Sequence, residues 1–141
     1  MPMKGKRYLT QWTAQFFVAA ELSRRGYLTS FTLGNAPVTD IVACIPDQKK
    51  IFRVDVKGLS TKTFWLLKRP NSDPKLYFIF VYIPTDLNEK PHYYIMTSSK
   101  VTKRWDTNND KAQGSKGWVK APGLYWKDTQ EFEDCWDTLP K

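Results

Sequence analysis

The sequence predicts an α/β fold, a central mixed β-sheet of about five strands with an N-terminal helix packed on it. Three observations carry this expectation. Residues 10–25 keep apolar side chains in a helical rhythm between Thr10, a reasonable N-cap, and Gly26, a stop preceded by the cations Arg24 and Arg25. Several later runs are rich in β-branched and aromatic residues and are separated by proline, glycine and polar turns. Residues 76–83, Leu-Tyr-Phe-Ile-Phe-Val-Tyr-Ile, are unbroken apolar or aromatic, the mark of a central strand covered on both faces.

The helix is apolar over much of its circumference through Trp12, Phe16, Phe17, Val18, Ala19, Ala20 and Leu22, so the sheet is expected to cover it. Glu21 then stands three and four residues after Val18 and Phe17, on a stripe expected to face inward. An ionised carboxylate there is costly unless it is paired or binds a metal, and both a salt bridge to Lys57 or an arginine and a metal role remain open. Residues 28–33 alternate as a short strand, and residues 34–37 turn the chain into a strand over 37–45. Residues 51–58 form the next strand, with the polar turn 46–50 closing a hairpin.

Side chains alternate along a strand, which places Arg53, Asp55 and Lys57 on one face and Phe52, Val54 and Val56 on the other. The neighbouring strand brings Asp40 into an otherwise apolar run. Two carboxylates and an ammonium converging at the end of a hairpin make a divalent-metal site plausible, because hard cations such as Mg²⁺ take oxygen ligands and are bound by one or two carboxylates plus phosphate.

Beyond the hairpin, residues 59–62 read as a loop and 63–67 as a strand. The basic connection 68–75 is open to two readings, a grip on a phosphate backbone or an ordinary solvated loop. Residues 92–97 read as another strand, with His92 peripheral because no second metal-ligand residue stands nearby. Ser98 or Ser99 caps a short helix over 100–105, ended by the polar run 106–110. Residues 111–127 mix Lys111, Lys116, Lys120 and Lys127 with Trp118, Tyr125 and Trp126. Such a mixture suits stacking on single strands and equally suits a flap over the core. Phe132 and Trp136, spaced i, i+4 in an acidic tail, fit a short amphipathic helix.

A chain of 141 residues fits a single domain, 1–141, with a core at about 8–106 and a basic aromatic C-terminal extension over 107–141. The 22 Lys and Arg against 14 Asp and Glu give a net charge of +8, favouring a polyanionic partner, of which nucleic acid is the commonest. Cys44 and Cys135 are too few for a disulfide framework or a zinc site. Gln11, Thr13, Gln15 and Glu21 interrupt the apolar residues after the basic N-terminus, which excludes a signal peptide or membrane span and points to a cytoplasmic protein. No glycine-rich phosphate loop, nucleophile elbow or dinucleotide fingerprint occurs.

Asp40 and Asp55-Val56-Lys57, with fourteen residues between the two aspartates and Pro37 three positions before the first, resemble the active-site motif of the PD-(D/E)XK nuclease superfamily. This is the fold of type II restriction enzymes and archaeal Holliday junction resolvases. In that motif the proline adjoins the first aspartate, so the match is stretched there. The order of helix, Arg24-Arg25-Gly26-Tyr27, strand, Gly34-Asn35 and then Asp40-Ile41 is similar to the entry of such domains, and the likeness is best over residues 10–58. It implies a restriction-endonuclease-like core and a Mg²⁺-dependent endonuclease acting on DNA, with Mn²⁺ as substitute cation. It further implies Asp40 and Asp55 as metal ligands, the Val56 carbonyl as a third, Glu21 as an additional direct or water-mediated ligand, and Lys57 positioning the attacking water. A homodimer follows from the resemblance alone. The rival reading is a non-catalytic nucleic-acid-binding module that retains the fold.

Overall fold

The computed structural model describes residues 4–32, 39–113 and 122–141, without the side chains of residues 4–6 and 110–113. Pro37, the turn over 34–37, and Lys116, Trp118 and Lys120 lie outside the described residues, as does the side chain of Lys111. The elements are α1 (Lys4–Arg24), β1 (Leu28–Phe31), β2 (Ile41–Ile45), β3 (Lys50–Leu59), β4 (Phe64–Leu66), β5 (Leu76–Tyr82), β6 (His92–Thr97), α2 (Ser98–Gln113) and β7 (Gly123–Tyr125). Two 3-10 turns, Trp126–Phe132 and Trp136–Thr138, follow.

Five strands form one sheet in the order β1-β2-β3-β5-β6. The β3–β5 pair is parallel and its neighbours are antiparallel, so the sheet is mixed, as the sequence leads one to expect. Parallel neighbours need a crossover, and the one from β3 to β5 carries β4, which pairs with β7 in a separate two-stranded sheet. Side-chain alternation sends Val54, Val56, Ile79 and Ile95 to the face covered by α1, and Phe78, Phe80, Tyr94 and Met96 to the face covered by α2 and the β4–β7 pair. The central run is buried from both sides accordingly: Phe78, Ile79, Phe80 and Val81 are each within 1% of full burial.

Helix α1 ends in a Schellman arrangement in which Gly26 takes φ +94°. Its N–H donates to Ser23 O at 3.0 Å and that of Tyr27 to Leu22 O at 3.1 Å, closing off orphan carbonyls of the last turn. The helix sits very close to β3 at Gly58, where an added Cβ would come within 2.8 Å of Ala14 Cβ and 3.0 Å of Thr10 O. Only a residue without a side chain lets the two backbones meet so tightly.

Several expectations need correction. Of α1 the sheet buries the stripe Ala14, Val18 and Leu22, with Ala19 packed beside it, whereas Phe16 and Phe17 remain 58% and 41% exposed and Trp12 36%. A helix packed on one sheet buries one stripe, whatever the composition of its other faces. The second helix does not stop at 105 but runs to Gln113. The polar run continues it, held where Arg69 forks onto Asp106 at 2.8 and 3.0 Å and Asn108 reaches Asp128 at 2.9 Å. The acidic tail forms 3-10 turns in place of an amphipathic helix. Among the described residues no helix is long and apolar enough to cross a membrane.

Candidate active site

Strand β2 stops pairing with β3 at Ile41–Val54, yet β3 continues for five more residues. Along that stretch the backbone groups of the even-numbered residues point to the side β2 has vacated. Asp40 lies at the bend just before β2, not within the strand, and its own N–H donates to Val54 O at 3.0 Å. Side chains satisfy what comes next. The Val56 N–H donates to Asp40 Oδ2 at 2.7 Å, Gln11 Nε2 donates to Val56 O at 2.7 Å, and the Gly58 N–H donates to Gln11 Oε1 at 3.0 Å. The two groups of the Gln11 amide therefore act as a neighbouring strand would. One helical turn on, Gln15 Nε2 donates to Asp40 Oδ1 at 3.3 Å.

Asp40, Asp55 and Lys57 are brought together. Lys57 Nζ stands 3.1 Å from Asp55 Oδ1. That distance gives Coulomb attraction, but the direction is wrong for a hydrogen bond, so Asp55 Oδ1 remains a buried oxygen with no hydrogen-bond partner among the described residues. Asp55 is only 4% exposed. Burial pushes its carboxyl up from 3.8 to about 6, the adjacent Asp40 pushes the same way, and Lys57 opposes both. Asp40 is raised as well, again chiefly by burial, with the Val56 N–H and Lys57 pulling it back.

This donor set fits a hard divalent cation. It offers two oxygen-bearing side chains at close quarters, one orphaned buried carboxylate oxygen, and the Val56 carbonyl, whose second lone pair is left by Gln11. Among the described residues no group of three or more His, Cys, Asp and Glu side chains is placed to hold a metal, so the fit is to an ion that takes two carboxylates and completes its shell with water or phosphate.

Glu21 is not part of the cluster. It follows Gln15 by six residues, which on an α-helix is about 9 Å along the axis and about 120° around it. Its carboxylate is taken by Arg24, at 3.3 Å, and by Arg25. It borders a separate depression with Tyr93, Lys90 and Trp136. The sequence-based role as a metal ligand is therefore corrected to the salt-bridge alternative, with arginines as partners. Arg53, on the face of Asp55, is paired with Asp73, and His92 lies at the periphery, 2.9 Å from Glu133. Sequence reasoning missed Gln11 and Gln15. The signal was present: the two are spaced i, i+4 beside the core stripe Ala14, Val18 and Leu22, where polar side chains meet the sheet rather than water.

No family model matches this chain, and no curated protein matches it. Among solved structures, a bacterial homing endonuclease, I-Ssp6803I, superposes with a TM-score of 0.53 over 92% of this chain and 88% of its own, at 13% sequence identity. The chain shares the fold of that endonuclease.

Proposed function

We propose that this chain is a metal-dependent endonuclease hydrolysing phosphodiester bonds in DNA, with a PD-(D/E)XK-type site. The observation that carries the reading is the buried Asp55 with an unsatisfied carboxylate oxygen, set beside the partly buried Asp40 and Lys57. The endonuclease fold and the charge of +8 support it.

Asp40, Asp55 and the Val56 carbonyl would hold Mg²⁺, or Mn²⁺ in its place. Such an ion polarises a phosphate and acidifies its bound water. The chain's own contribution is positioning and charge. Lys57 orients the attacking water and offsets negative charge growing on the phosphate oxygens. Gln15 fixes the rotamer of Asp40, and Gln11 fixes the end of β3 from which Asp55 and Lys57 project. A homodimer acting inside the cell would place two such sites on the two strands of a duplex.

The test is cleavage of plasmid, branched and single-stranded DNA in Mg²⁺ by the wild type and by Asp55→Ala, with Mn²⁺ titration by calorimetry. The wild type should cut and bind the ion, and the variant should do neither. Undiminished cutting by Asp55→Ala ends the reading. A second reading, a binding module without catalysis, is favoured by the structural work Asp40 does on the Val56 N–H; it predicts DNA binding with no ion site that depends on Asp40.

A further inference from the structure

The face of α1 next to the amides is an exposed aromatic row. Tyr8, Trp12 and Phe16 repeat every four residues and so share one face. Tyr8 is 65% exposed. The rings form a ladder: Tyr8 meets Trp12 edge-on with centroids 6.0 Å apart, Trp12 stacks on Phe16 at 5.8 Å and 29°, and Phe16 meets Phe31 of β1 edge-on at 5.4 Å. Two of the rings each follow a site amide by one residue: Trp12 follows Gln11, and Phe16 follows Gln15, whose side chain touches Asp40. The row thus lies about 100° around the helix from the groups that line the carboxylate cluster.

Two features of the chain say what covers this face. The helix opens on Lys4, Lys6 and Arg7 with no acidic residue in its first turn, and the whole chain carries +8. A second copy laid on the row would bring another net charge of +8 against the first, whereas a polyanion is attracted. The occupant must also present flat apolar rings to rings, which nucleobases do. Side chains four apart on a helix are spaced by about 6 Å, nearly twice the 3.4 Å base step of a duplex strand, so the row suits an extended strand whose bases have left the helical stack.

We propose that Tyr8, Trp12 and Phe16 form a stacking platform for unpaired nucleobases, on a strand whose phosphate backbone passes the Asp40–Asp55–Lys57 cluster. The part of this statement that concerns the cluster rests on the nuclease reading; the platform itself does not. It makes the favoured substrate one with a single-stranded stretch, a flap or an unpaired junction.

The experiment measures affinity in EDTA, where no cleavage occurs, by fluorescence anisotropy of labelled oligothymidine and of a labelled duplex of equal length at one salt concentration. The wild type and Asp55→Asn should both prefer oligothymidine. Trp12→Ala and Phe16→Ala should each weaken oligothymidine roughly ten- to a hundredfold, leave the duplex unchanged, and keep the salt slope, since no phosphate contact is removed. Trp12→Phe should retain most of the affinity. Thermal melting controls for folding, and if Trp12→Ala melts early the exposed Tyr8→Ala carries the same expectation. Equal affinity of wild type for both probes, or oligothymidine binding untouched by these substitutions, overturns the proposal. So does a wild-type dimer that the substitutions dissociate without altering strand affinity, which would mean a second copy covers the row. A wild type that binds as expected but never cuts in Mg²⁺ instead overturns the nuclease reading and leaves the platform standing.

Discussion

Helix α1 borders carboxylates on both flanks and treats them in opposite ways. On one flank, a buried Asp55 and a partly buried Asp40 share a single cation among the described residues, Lys57, and Asp40 is approached by the neutral amide of Gln15. On the other, Glu21 sits between two arginines whose charges cancel its own. The second arrangement stabilises and is chemically quiet. The first is costly to fold and leaves negative charge unspent, which is the condition a cation-binding site requires.

Asp55 should break that contrast most visibly. Because its carboxyl is raised in the folded state, the native protein holds a proton that the unfolded chain has already lost between 3.8 and about 6. Its contribution to stability is full below the lower value and falls as pH rises through the upper one. The full span corresponds to about 3 kcal/mol. Asp55→Asn is therefore expected to unfold at higher urea than the wild type at pH 7, while cleavage falls by a factor on the order of 10³. Measured at pH 5 and pH 7, the wild type should lose about 1 kcal/mol more than the variant. A variant less stable than the wild type at pH 7 would remove the burial account.

Next in size is Gly58→Ala. The new methyl meets Ala14 Cβ and the Thr10 carbonyl, neither of which is a flexible chain end, and levering α1 off β3 should cost about 1–3 kcal/mol by urea denaturation. Cleavage should fall with it, since Gln11 and Gln15 move with the helix. Gln15→Glu sharpens the comparison from the other direction by making the two flanks alike in charge. A third carboxylate beside Asp40 should cost about 1 kcal/mol without metal and tighten Mn²⁺ binding in calorimetry. The smallest effect is expected at Glu21→Gln, a loss of under about 1 kcal/mol in thermal melting with cleavage unchanged, as befits a surface pair. A large loss of cleavage there would return Glu21 to the site.

The fold was legible because its strongest signals are local. The apolar run of β5, the alternation of β3 and the Gly26 stop each state their structure within a few residues. Asp55 and Lys57 were legible for the same reason, as charges inside an apolar strand, and Asp40 as a charge at the threshold of another. The amides were legible only in part: their i, i+4 spacing beside Ala14 and Val18 marks the face, but what a glutamine there bonds depends on the early end of β2. Glu21 misled because helical phase was judged against a helix assumed to be wrapped on most sides; with only Ala14, Val18 and Leu22 buried at its centre, the same residue falls on the far flank. Strand β7 was missed because three residues beginning with glycine carry no periodicity, and only Phe64 to Leu66 across the gap give them a partner.

The amide bracket of Gln11 on Val56 and Gly58 has one more consequence. A strand that outruns its neighbour presents bare hydrogen-bonding groups, which invite pairing with other chains and growth into aggregates. By capping that rim with a side chain, the helix satisfies the groups that β2 leaves bare and closes the rim to the edge of another molecule of the same kind.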